Sequence, residues 1–121
     1  MRHTVRLKGV IVGHSELENI DESLGRAWGM FRPGMGYDLV QPIFRLFAEA
    51  VPLDGSARNA GVLQRYYNAR DALELELQDQ HGRSIRTSGI HIADYREEEG
   101  ETAIELDVLI KDQAYWATRT S

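Results

Sequence analysis

Three stretches in the second half of the chain alternate apolar and polar residues one for one, and that period commits the chain to a sheet with one dry face and one wet face. "LELELQD" (73–79) sets Leu73, Leu75 and Leu77 against Glu74, Glu76 and Gln78. "SIRTSGIHIADY" (84–95) puts Ile90 and Ile92 opposite His91, and "ETAIELDVLI" (101–110) places Ile104, Leu106, Val108 and Ile110 inside with Glu105 and Asp107 outside. "QHGR" (80–83) and "EEEG" (97–100) read as the connecting turns, with Gly82 suited to positive φ. The expectation is a three-stranded antiparallel meander.

Upstream, "HTVRLKGVIVG" (3–13) is β-rich, but its apolar phase slips from Val5/Leu7 to Val10/Val12. A bulge at Gly9 would restore the register within one strand. "LGRAWGMFRP" (24–33) reads as a second strand. "YDLVQPIFRLFAEAV" (37–51) carries Leu39, Ile43, Leu46, Phe47 and Ala50 on one helical face, widened by Val40, Phe44 and Val51, with Asp38 as N-cap and Pro42 in the first turn. A shorter helix over about 62–72 would present Val62, Leu63, Tyr66 and Tyr67 to the core. The order β-β-α-α-β-β-β implies an α+β two-layer sandwich, a mainly antiparallel sheet of about five strands with two helices on one face. The chain of 121 residues reads as a single globular domain, 1–121, because neither side of the loop "PLDGSARNAG" (52–61) is long enough for its own core.

The strand phases place Glu74, Glu76, Glu105 and Asp107 on the outer face, with Arg6 and Lys8 on the first strand. Opposite charges across strands stabilise a sheet and like charges destabilise it, so the first strand is expected beside an acidic one. Net charge is −5, and residues 61–121 hold the excess, with seven Lys/Arg against twelve Asp/Glu. An acidic domain repels phosphate backbones and anionic lipid, which argues against nucleic-acid or membrane partners and for a partner with a basic surface. The absence of cysteine excludes thiolate chemistry and cysteine-based metal sites. The longest apolar run near the start, Val10-Ile11-Val12, is too short for a secretory signal, and the expectation is cytoplasmic.

The phase of residues 24–33 decides the meaning of "GRAWGMFRPGMGYD" (25–38). Either Leu24, Trp28 and Met30 point into the core, or Ala27, Gly29 and Phe31 do, leaving Arg26, Trp28, Met30 and Arg32 as one exposed stripe. Trp and Arg most often carry interface energy. The "PGMGYD" corner, with Arg26, Arg32 and Tyr37 about a helix start, suits an anion, although it lacks the Gly-Lys-Ser/Thr of a P-loop. His14, Glu16 and Glu18 share a side of extended chain and could contribute to a hard-ion site, and a solvated connection is the simpler reading. His91, beside Glu105 and Asp107, has no nucleophile partner in sequence. "YW" at 115–116 reads as a short strand or an aromatic lid on the sheet.

These features point to a non-enzymatic, protein-binding domain without cofactor, of the kind in which a small acidic inhibitor or immunity-type protein caps a basic enzyme. Its candidate contacts are Arg26, Trp28, Arg32 and Tyr37, or His91, Glu105 and Asp107 on the acidic face. The alternative is a small-molecule or anion-binding domain, enzymatic or not, with its site at the corner 32–38. A homodimer through the outer face or an open edge strand is compatible with both.

Overall fold

The computed structural model describes residues 1–120, with side chains as far as residue 117. Its strands are β1 (His3–Leu7), β2 (Val10–Ser15), β3 (Asn19–Asp21), β4 (Arg26–Pro33), β5 (Leu75–Gln78), β6 (Ser84–Ile85), β7 (Thr87–Asp94) and β8 (Ile104–Ile110). Its helices are α1 (Gln41–Ala50), α2 (Ala60–Asp71), α3 (Arg96–Glu99) and α4 (Gln113–Thr120). The protein is α+β with an antiparallel sheet, but the sheet has eight strands rather than about five and curls into a near-barrel rather than a flat sandwich layer. The strand order is β6-β5-β1-β2-β4-β8-β7, with β3 on the same edge of β4 as β2.

Three local causes account for the difference. The segment 3–13 is two strands, because Lys8 (φ 49°) and Gly9 (φ 84°) are both left-handed and close a two-residue hairpin. The bulge lies between Val5 and Arg6, opposite Val12, rather than at Gly9. Arg86 divides the stretch 84–95 into β6, paired with β5, and β7, paired with β8. Because β1 pairs with both β2 and β5, the two halves of the chain join in one sheet, and it closes until β5 touches β7. As expected from charge, β1 lies beside an acidic strand: Arg6 faces Glu76, and its Nε donates to Gln78 Oε1 at 2.8 Å.

The interior is filled by Val5, Leu77, Phe31, Ile90, Ile92, Leu106 and Val108, with Phe44 from α1 and Tyr66 from α2. α1 lies along β7 and α2 packs on α1. α1 begins at Gln41 rather than near Asp38, because residues 35–39 form a 3-10 turn laid against β2. That one-turn delay leaves Leu39 exposed and buries Val40, Phe44 and Ala48. Residues 115–116 lie in α4, not in a strand; Tyr115 is buried, and Trp116 Nε1 donates to Ile110 O at 3.0 Å. Among the described residues no helix is long and apolar enough to cross a membrane.

Candidate functional site

β4 adopts the phase that buries Ala27, Gly29 and Phe31 and turns Arg26, Trp28, Met30 and Arg32 outward. The registers of β4, β8 and β7 then stack three rows on the outer face: Arg26–Leu109–Gly89, Trp28–Asp107–His91 and Met30–Glu105–Ala93. Four of the residues singled out in the sequence, Arg26, Trp28, His91 and Asp107, thus meet around one point. Arg26 grips Asp107 through Nε (3.0 and 3.1 Å) and Nη2 (2.6 Å), and its guanidinium lies 4.1 Å from the Trp28 ring centre.

Glu105, next on the same face, has no hydrogen bond or ion pair with any described residue. Burial pushes its carboxyl pKa up, and the neighbouring charges of Asp107 and Glu18 push it further, against the pull of Arg26. Glu18 sits at the edge of β4, where its Oε2 accepts the Met30 N–H at 3.1 Å. A groove of about 360 Å³ runs up to Glu105 along Met30, Leu53, Ala93, Tyr95 and Ala103. It offers an apolar trough with a carboxylate beside it.

On the other side of Asp107, His91 faces the helices. Its ring is 4.3 Å from that of Phe47 and 5.5 Å from that of Tyr66, and Nδ1 is hydrogen-bonded to the Tyr66 hydroxyl. Burial lowers the His91 pKa to about 4, with Asp107 opposing and Arg70 assisting, so the imidazole is neutral at pH 7. Burial also raises the Tyr66 phenol well above its ordinary value. A second cleft, of about 310 Å³, opens here between α2 and the row Arg26–Leu109–Gly89.

The remaining sequence candidates are dispersed. Tyr37 turns inward, packs on Phe31 and donates from its hydroxyl to Asp94 at 2.6 Å, while Arg32 stays exposed opposite His14. Arg26, Arg32 and Tyr37 therefore do not converge at the 32–38 corner, where Gly36 instead lets the chain press on the Ile11 carbonyl. His14 bonds Thr4 and Arg2, Glu16 pairs with the N-terminal amine, and Glu18 reaches Met30. Left-handed, fully buried Leu17 separates the last two. Among the described residues no group of three His, Cys, Asp or Glu is placed to hold a metal.

Sequence reasoning missed Phe47, Tyr66, Tyr67, Arg70 and Gly89 as cleft residues. One signal was available: Tyr66 and Tyr67 stand four and three residues before Arg70, the spacing that lays a guanidinium over rings on one helical face. The Arg70 guanidinium carbon is 5.5 and 5.1 Å from the two ring centres. Comparison with known proteins gives no match: no family model fits the chain, and no curated protein or solved structure is similar to it.

Proposed function

We propose that this domain is a non-enzymatic binding protein that docks a basic segment of another protein on the outer face of β4, β8 and β7. The observation that carries the reading is Glu105, a carboxylate without an ion-pair partner among the described residues and with Asp107 and Glu18 nearby, at the head of an apolar groove. A lysine or arginine fits such a groove, with its methylene stem along Met30, Leu53 and Ala93 and its charge on Glu105. A cation docked there offsets the burial and the repulsion from Asp107 and Glu18 that raise the Glu105 pKa. Trp28 and Met30, the latter 40% exposed, supply apolar contact around that charge. A small acidic domain that caps a basic enzyme, as inhibitors and immunity-type proteins do, matches this face, and its net charge of −5 would steer the encounter.

The test is affinity against a captured partner, compared across variants. Glu105→Gln is expected to weaken binding about tenfold, the equivalent of about 1.4 kcal/mol, and to flatten its salt dependence. Trp28→Ala should raise the off-rate, and Glu74→Gln on β5's approach serves as a control. A partner whose affinity ignores Glu105 and Trp28, or which is acidic, would overturn the reading. Sedimentation velocity of the free protein distinguishes a second copy of this chain as the occupant of the same face.

A further inference from the structure

The cleft on the His91 side of Asp107 is separate from the Glu105 groove and differs from it in chemistry. It is lined by Phe47, Tyr66, Tyr67 and Leu109 as walls, with Arg26, Arg70, Ser88 and His91 supplying polar groups and Asp107 already held by Arg26. His91 Nδ1 is engaged by the Tyr66 hydroxyl, which leaves Nε2 as the ring nitrogen open to a ligand. His91 Nε2 and the Arg26 Nη1 group have no partner among the described residues. Ser88 is the extra residue of a bulge in β7, a feature that re-aims a side chain. Beside it Gly89 leaves the floor open, with no heavy atom within 4 Å of where a Cβ would stand.

We propose that this cleft binds a small aromatic carboxylate. Its carboxylate accepts from His91 Nε2–H, Arg26 and Ser88, and its ring lies against Tyr67, Phe47 and Leu109. Asp107 is taken up by Arg26 and Asp71 by Arg70, whereas Arg26 Nη1 and the Ser88 hydroxyl remain as donors in the lining, so a carboxylate is favoured over an amine. The aromatic walls and a volume near 310 Å³ suit a single-ring ligand and leave a bare inorganic anion without most of its contact.

The test is titration of benzoate, benzylamine, benzyl alcohol and inorganic phosphate into the protein, followed by the His91 ring resonances and by calorimetry. Benzoate should bind at least tenfold more tightly than the amine or the alcohol, shift the His91 Nε2 resonance, and outcompete phosphate. Gly89→Val, a β-favouring side chain pointing into empty space, should abolish binding while leaving the thermal transition in place. Benzylamine binding as tightly as benzoate, phosphate binding as well as benzoate, benzoate binding unchanged in Gly89→Val, or no binding by any of the four would each overturn the proposal.

Discussion

Asp94 tests whether polar contacts or apolar packing hold the helical edge to the barrel. Its side chain is 2% exposed and accepts from Tyr37 Oη at 2.6 Å and from Arg96 Nε and Nη2, each at 2.9 Å. Its own carbonyl accepts from Arg45 Nη1 at 2.7 Å. One residue thus joins the 35–39 turn, α1, the end of β7 and α3. Burial alone would raise its pKa, but the bonds from Arg96 and Tyr37 outweigh it and hold the carboxyl below its ordinary range. Asp94→Asn keeps the shape and the Tyr37 bond, but removes the charge and turns an amide donor towards Arg96. Bonds to a charged group contribute about 1.5–3 kcal/mol against about 1 for neutral ones. Two such bonds are affected, and Arg96, 31% exposed, is partly screened, so we expect a loss of about 2–3 kcal/mol. Urea unfolding at pH 7 measures it. Because the folded pKa is depressed, this stabilisation is present above the unfolded value near 4 and is lost as pH falls through the folded one. The gap between wild type and Asp94→Asn should therefore shrink below about pH 4. A loss under about 1 kcal/mol at pH 7, or a gap that ignores pH, would refute the argument.

Three further changes probe other parts of the structure. His91, neutral when folded with a pKa of about 4, takes up a proton on unfolding once pH drops below about 6.5. Stability should therefore fall between those values by on the order of 3 kcal/mol, and His91→Gln should flatten that part of the curve. Lys8→Asn places the favoured residue ahead of Gly9 in a turn needing positive φ at both positions, and should stabilise by about 0.5 kcal/mol in thermal melts. Gly36→Ala sets a Cβ 2.6 Å from the Ile11 carbonyl oxygen. The overpacking should cost about 1–3 kcal/mol in urea unfolding.

The elements legible in the sequence were those whose side chains obey one period along their whole length. β8 alternates without a break, and its inward residues are the expected Ile104, Leu106, Val108 and Ile110. The interruptions were illegible because each depends on a long-range partner. Arg86 breaks its strand because its N–H turns to Asp112 and Lys111 N–H bonds to its carbonyl. Leu17 adopts a left-handed conformation in order to reach the core, and the ladder breaks there into β2 and β3. Half of the site was visible for the same reason: Glu105, Asp107 and His91 follow from alternation on β7 and β8. The aromatic wall from α1 and α2 was illegible because which helical side chains reach His91 depends on how the two helices pack on β7.

The phase of β4 carries the most information about function. A strand that needed only to pack would send its tryptophan inward. Two glycines hold β4 in this phase: Gly13 leaves space for the Phe31 ring, and a Cβ at Gly29 would meet Glu18 at the strand's edge. The inward positions are consequently Ala27, Gly29 and Phe31. Trp28 is half-buried on the outer face, stacked under Arg26 in line with Asp107 and next to unpaired Glu105. If that placement serves binding, the two faces of the strand must separate energetically. Phe31→Ala should cost about 3–5 kcal/mol of stability through the cavity it leaves. Trp28→Thr keeps a β-favouring residue, gives up only the guanidinium contact and part of its buried area, and should cost about 1 kcal/mol. Urea unfolding of the two variants decides the matter. A Trp28→Thr loss approaching that of Phe31→Ala would make Trp28 a structural anchor and leave the outer face without its central apolar contact.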